Sequence, residues 1–166
     1  TQGAGGQGST SNPLGLINEI RQFYDGFVVL AGCVSTGQDI VTALSMGADA
    51  VNMGTRFICT KESAAEQGYK DMIVRSTADD IIYTSAPSGQ PANFMKESIL
   101  KEGFDAAKLK KEGAGAERIV PPPGEASKAW VKIWSAGQGA GSVNDIPTMA
   151  VLANRLKQEY QAAKTK

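Results

Sequence analysis

Histidine is absent from this 166-residue chain. Its absence removes the usual general base near neutral pH, the Ser-His and Cys-His pairs and most catalytic zinc sites. Chemistry must then come from a cofactor, from carboxylates or from another chain. An excess of one charge is missing too: 17 Lys plus Arg balance 17 Asp plus Glu. No basic stripe recommends nucleic acid or an anionic membrane surface as a partner. Every apolar run is far shorter than the roughly 18 residues that span a bilayer, and residues 1–8 form a glycine-rich loop rather than a signal peptide. The expectation is a cytoplasmic protein. Cysteine is scarce, and Cys33 and Cys59 show neither CxxC spacing nor a disulfide framework, so both read as small buried hydrophobes. What is present, 42% hydrophobic residues and a mean hydropathy of −0.20, is ordinary for a globular chain.

The most informative stretch is residues 30–56, which hold an apolar run, a glycine turn at Gly32, an amphipathic segment, a second apolar run and a second glycine turn at Gly54. This is the pattern of one βαβ unit. Both turns leave at the carboxyl end of a strand, where parallel α/β folds bind ligands. Residues 27–31 are five consecutive apolar positions, the pattern of a strand covered on both faces, and residues 48–53 predict its parallel partner. Between them Ser35 or Thr36 caps a helix with Ile40, Val41, Ala43 and Leu44 facing inward, closed by Gly47 in a left-handed conformation. Upstream, Pro13 and the stripe Leu14, Ile17, Ile20 and Phe23/Tyr24 predict a helix over 13–24.

Beyond Arg56 the regular repeat stops. Ser63 and Glu66 have the spacing of a capping box that opens a helix running to about Arg75, and residues 79–84 read as a short strand. Residues 87–91 are a loop, 96–102 a helix, 113–124 a linker with three consecutive prolines, and 126–134 a helix. A glycine loop at 135–142 leads to a C-terminal helix capped by Asn144 or Asp145, with Pro147 early in it and Met149, Leu152, Leu156 and Tyr160 on one stripe. Two parallel strands buried on both faces need neighbours on both edges. The expected fold class is therefore α/β, the C-terminal piece of a larger α/β barrel followed by a mostly helical portion. The expected divisions are 1–58 for the barrel units, 59–124 for a mostly helical segment with a linker, and 125–166 for the glycine loop and final helices.

Gly32 and Gly54 each let the backbone approach a ligand closely, as a phosphate site between adjacent barrel strands requires; the alternative is that both serve turn geometry alone. Thr55 adds a hydroxyl, Asn52 and Met53 offer main-chain groups, and Arg56 either neutralises a phosphate or forms a buried salt bridge. The glycine run at 3–8 contains Gln7, a neutral hydrogen-bonding group. Asp79 and Asp80 read either as a metal or acid/base pair or as a helix-to-strand connection. Trp130 and Trp134 read as one buried helix face, while Gln138 sits among glycines in a loop suited to folding over a planar ligand.

At these residues the chain resembles the nitronate monooxygenases, once called 2-nitropropane dioxygenases, a flavoprotein family that also includes flavin-type enoyl-ACP reductases. The resemblance rests on the Gly-Ala-Gly-Gly-Gln-Gly loop at 3–8, Ala-Gly-Cys-Val at 31–34, Met-Gly-Thr-Arg-Phe at 53–57, Thr-Lys-Glu-Ser at 60–63 and Trp-Ser-Ala-Gly-Gln-Gly at 134–139. It implies the C-terminal part of a TIM (β/α)8 barrel holding FMN, with a mostly helical substrate-covering segment after the eighth strand and cofactor contacts at Gly5, Gly6, Gly32, Cys33, Asn52, Met53, Gly54, Thr55 and Gln138. It also implies a small-molecule substrate: an alkyl nitronate to be oxidised, or an enoyl or quinone compound to be reduced. Gln7 stands at the family's catalytic position, where relatives usually carry histidine. A carboxamide cannot act as a base, so oxidation of a pre-formed nitronate or hydride transfer suits this chain better than attack on a neutral nitroalkane. The same resemblance implies an N-terminal barrel half, or a homo-oligomer, to complete the site. Two other readings stand beside it: a barrel of the inosine-monophosphate dehydrogenase type with Cys33 or Cys59 as nucleophile, and a non-catalytic half-barrel that acts only by association.

Overall fold

The protein is described by a computed structural model covering residues 3–6, 8, 12–87, 90–105 and 132–165. Helix α1 (Pro13–Arg21) starts where the Asn12 side chain accepts from the Leu14 N–H at 2.9 Å and proline occupies the first turn. It stops three residues before its apolar stripe does. Arg21 is turned outward to donate to the carbonyls of Gly47 (2.9 Å) and Gly26 (2.7 Å) and to pair with Asp49 at 2.6 Å. Of the expected stripe Ile17 is buried, whereas Leu14, Phe23 and Tyr24 are exposed.

Strand β1 (Val29–Ala31) pairs in parallel with β2 (Ala50–Asn52), in the register Leu30 to Val51. The crossover is α2 (Gly37–Ser45), capped by Thr36 in a capping box whose Asp39 carboxylate accepts from the Ser35 and Thr36 N–H groups, each at 2.9 Å. Gly47 closes it at φ +104°, as expected. Ile17, Leu30, Val34, Ala43 and Ala48 form the core under this unit. The expected coverage of both strand faces is not found: Phe27 is 69% and Val29 49% exposed, because α1 and α2 cover only the face that carries Leu30.

The second region begins with α3 (Thr55–Ile58) and α4 (Gln67–Arg75). Ser63 does not cap α4; its hydroxyl accepts from the Ala65 N–H at 3.2 Å, and the helix opens after Glu66 without a side-chain cap. Asp80 instead closes a single 3-10 turn (Ala78–Asp80), accepting from the Thr77 N–H at 2.8 Å. The Asp79-Asp80 pair is thus a connection into strand β3 (Ile81–Thr84). An antiparallel partner, β4 (Ala92–Met95), was not anticipated by the sequence reading; all four of its residues are buried. Helix α5 (Lys96–Lys101) follows directly.

The linker expected at 113–124, Trp130 and most of the helix expected at 126–134 lie outside the described residues. Trp134 is not helical, and its carbonyl accepts from the Met95 N–H at 2.8 Å. The final helix α6 (Met149–Lys164) is capped by Thr148 rather than by Asn144 or Asp145, and buries Leu152 and Leu156 while Met149 stays exposed. It lies against the start of α2. A Cβ on Gly37 would collide with the Tyr160 nitrogen and stand 2.5 Å from the Leu156 carbonyl oxygen, so only glycine lets the backbones meet there. No described helix is long and apolar enough to cross a membrane.

Candidate functional site

A cleft of about 290 Å³ opens at the carboxyl ends of β1 and β2. Its floor is made by Ala31, Gly32 and Cys33 after β1 and by Asn52, Gly54 and Thr55 after β2. The chain reverses sharply after β1 because Gly32 and Cys33 both take positive φ, +99° and +58°. Glycine tolerates that region, whereas a cysteine there carries strain on the order of 1 kcal/mol.

The other walls are Ala4 and Gly5 on one side and the glycine loop at 135–139 on the other. These segments are stitched together by main-chain and hydroxyl groups. The Gln138 N–H donates to the Gly3 carbonyl at 2.8 Å, the Gly137 N–H to the Thr55 hydroxyl oxygen at 2.9 Å, and the Ser35 hydroxyl to the Gly139 carbonyl at 2.8 Å. Such contacts need glycine. A Cβ on Gly137 would stand 2.7 Å from the Gly3 carbonyl oxygen, one on Gly139 would stand 2.7 Å from the Ser35 oxygen, and one on Gly5 would meet the Ala136 backbone at 3.1 Å.

Gly54 is different. Its φ of −91° suits any residue, and a Cβ built on it meets nothing within 4 Å. Neither the backbone nor the packing of the described chain requires glycine there, and Gly54 lines the cleft, where a bare backbone lets a ligand approach closely.

The lining is electrically neutral. No Lys, Arg, Asp or Glu is among the described residues that form it. Arg56, which the sequence left as a phosphate or salt-bridge partner, is 2% exposed and paired with Asp145 at 3.0 Å, away from the cleft. Arg155 holds the same carboxylate at 2.6 Å, and its hydrogen bonds, followed by the charge of Arg56, keep Asp145 below the ordinary aspartate range. The N-terminus of α2 is occupied as well: Asp39 accepts from Ser35 and Thr36, and Glu159 from the Gly37 N–H at 2.7 Å. An anion in the cleft therefore meets the turns at 32–33 and 54–55 rather than that helix.

Two titratable side chains do line the cleft, and both stay protonated at neutral pH. Partial desolvation by the cleft walls and then the Asp39 charge push the Cys33 thiol up, and burial pushes up the phenol of Tyr69, which donates to the Ser135 carbonyl. Cys33 is exposed, contrary to its reading as a buried hydrophobe, and its thiol faces the Gln138 side-chain oxygen at 3.9 Å. Cys59 is buried as expected, with its thiol pushed up to about 11 chiefly by that burial. Tyr69 was missed by the sequence reading. It is stacked on Trp134 with ring centroids 5.1 Å apart, a pairing that no local pattern announces.

Of the candidate cofactor contacts, Gly5, Gly32, Cys33, Asn52, Gly54 and Thr55 converge on the cleft. Gln138 borders it through Cys33, while Met53 packs against the core cluster of Ile17, Leu30, Val34, Ala43 and Ala48. Gly6 is drawn instead into a bridge with Asn93. Gln7 lies outside the described residues. No group of three or more potential metal ligands occurs among the described residues.

The sequence model of one family, described as nitronate monooxygenase, matches residues 2–159. The chain belongs to the nitronate monooxygenase family. Among its relatives is a probable nitronate monooxygenase of Staphylococcus saprophyticus, 27% identical over 162 residues that cover 87% of this chain and 43% of the relative. Another is a nitronate monooxygenase of Paraburkholderia phytofirmans, 29% identical over 81% of this chain and 39% of the relative. The chain thus spans about two fifths of the length of these curated relatives. Among solved structures, a FabK variant of Thermotoga maritima superposes with a TM-score of 0.74 at 22% identity, covering 98% of this chain and 50% of FabK. A nitroalkane oxidase of Streptomyces ansochromogenes gives 0.72 at 26% identity, over 98% of this chain and 50% of that protein. Both are TIM-barrel enzymes, and the fold of this family member is part of such a barrel.

Proposed function

We propose that this chain carries the FMN-phosphate-binding turns of a nitronate monooxygenase-type oxidoreductase, acting on alkyl nitronates or, through the same cofactor, on enoyl or quinone substrates. The observation that carries this reading is Gly54, bare without internal need and facing the cleft next to Thr55. The residues present fit FMN. The Thr55 oxygen accepts from the Gly137 N–H, which leaves its own proton to be donated into the cleft, and the bare turns at Gly32 and Gly54 admit a phosphate to main-chain distance. Bound FMN would supply the electron transfer that the neutral lining cannot.

The chain's own contribution is binding, orientation and the exclusion of acid/base chemistry. Cys33 and Tyr69 are both held protonated, so neither serves as a base at neutral pH. This supports a substrate that arrives already as the nitronate anion, in agreement with Gln7 at the family's catalytic position. The nucleophilic-cysteine reading has no support: Cys59 is sealed in the core, and the surroundings of Cys33 disfavour its thiolate. Exposed Phe27, just before β1, and Val29, its first residue, support completion of the site by further barrel strands, from the same protein or a second copy.

Titration of FMN by quenching of its fluorescence tests the reading. The wild-type chain should bind, and Gly54→Val should lose at least about tenfold in affinity with its thermal midpoint unchanged. Equal affinity of the two would refute the cradle, and absence of binding to wild type would refute the cofactor assignment in favour of a non-catalytic half-barrel. With FMN bound, propyl-2-nitronate should turn over well ahead of neutral 2-nitropropane.

A further inference from the structure

The hairpin β3–β4 does more than fill the core. Its inner strand extends the sheet to the glycine loop: Gly6 and Asn93 form an antiparallel bridge, with the Asn93 N–H donating to the Gly6 carbonyl at 2.8 Å and the Gly6 N–H to the Asn93 carbonyl at 3.2 Å. The Asn93 side chain adds a third bond, from Nδ2 to the Ala4 carbonyl at 2.8 Å. Asn93 is 2% exposed, and its amide lies so close to Gly8 that a Cβ there would stand 2.9 Å away. From β3 the Tyr83 hydroxyl donates to the Gly8 carbonyl at 3.4 Å.

One hairpin therefore grips the loop at Ala4, Gly6 and Gly8. We infer that Asn93 is a positioning residue that sets where Ala4 and Gly5 stand relative to the cleft. The inference rests on the reading above, in which the loop borders the cofactor. Physically, a buried amide that satisfies the Ala4 carbonyl, two residues from its own backbone bridge at Gly6, fixes both the height and the twist of the backbone at Gly5 between them. Ala4, the residue whose carbonyl it holds, itself lines the cleft. Gly6, at φ +72°, takes the left-handed conformation that glycine allows at the bridge itself.

The test compares wild type, Asn93→Ala and Asn93→Asp in the full chain. Asp keeps the volume but places an acceptor against the Ala4 carbonyl, so it should behave like Ala. Amide exchange in residues 3–8 should rise about tenfold in both variants while that of α6 is unchanged. With FMN bound, the affinity should stay within about twofold, the flavin absorption band should shift, and kcat with propyl-2-nitronate should fall about tenfold at constant KM. If exchange is unaltered, or if it rises while the band and kcat do not move, Asn93 does not position the site. If wild type fails to take FMN, the cofactor reading falls, and exchange in the free chain alone decides whether Asn93 orders the loop. Should Asn93→Ala unfold, Tyr83→Phe removes only the outer tie; a smaller change in the same direction supports the inference and no change overturns it.

Discussion

The parallel pair β1–β2 and the antiparallel pair β3–β4 invert what their sequences suggest. The segment Phe27-Val28-Val29-Leu30-Ala31 is wholly apolar, yet Phe27 and Val29 stand exposed, whereas Ala92-Asn93-Phe94-Met95 carries an amide in its middle and is buried throughout. Hydrophobicity makes burial favourable but does not provide the covering layer. Around β4 that layer comes from α5, Ile133 and the loop at 3–8; beside Phe27 and Val29 no described element supplies one. The contrast separates a region that is finished within this chain from one that presents an apolar face.

The two phenylalanines carry the largest expected difference between the regions. Phe94→Ala should cost about 3–5 kcal/mol in urea unfolding, since the ring is fully buried among Ala86, Ala92, Ile99 and Ile133. Phe27→Ser should cost less than about 0.5 kcal/mol, as expected of an exposed position. An equal loss at Phe27 would mean that the parallel pair is covered in solution.

Glycines sharpen the comparison next. Gly37→Ala, forced against the backbone of α6, should destabilise by about 1–3 kcal/mol, whereas Gly54→Ala should leave the unfolding midpoint within about 0.5 kcal/mol of wild type. Loss of stability at Gly54 would make it a packing glycine and remove the main support for the phosphate cradle.

A smaller effect is expected in acid. Asp145, held by Arg155 and Arg56, and Asp49, held by the Val28 N–H and then by Arg21, both have depressed pKa values in the folded chain. Their stabilisation is complete above the unfolded aspartate value near pH 4, approximately, and is lost as the pH falls through the folded values. Asp145→Asn should therefore flatten the acid limb of a thermal-midpoint profile, and an unchanged limb would argue against the Arg56–Asp145–Arg155 cluster. The smallest expected effect is in thiol labelling: at pH 7.5 Cys33 should react slowly and be shielded by FMN, while Cys59 should react only on unfolding.

The sequence reading succeeded where a signal is local. Thr36 and Asp39 cap α2 through groups three residues apart, and Gly47 ends it by its own backbone freedom. The same reasoning failed where a partner is distant. The Ser63/Glu66 spacing has the form of a capping box, but α4 starts after Glu66 and the box is not made. The stripe Leu14 to Tyr24 overran α1 because Arg21 found better acceptors in Gly26, Gly47 and Asp49. For the site, the turns at Gly32 and Gly54 were legible from strand-glycine order, but Tyr69 was not, since its cleft position depends on Trp134, far along the chain.

The sequence alone determined the βαβ unit, its two bare turns, the neutral balance of charge, the lack of histidine and the family. Each of these is written in residue identity or in contacts a few positions long. The tertiary structure decided that Arg56 pairs with Asp145 rather than facing the cleft, that residues 135–139 close over the turns, and that Asn93 holds Ala4. The last two partners are 89 residues apart. No periodicity spans such a distance, and buried donors and acceptors are matched only once the core has fixed which segments meet.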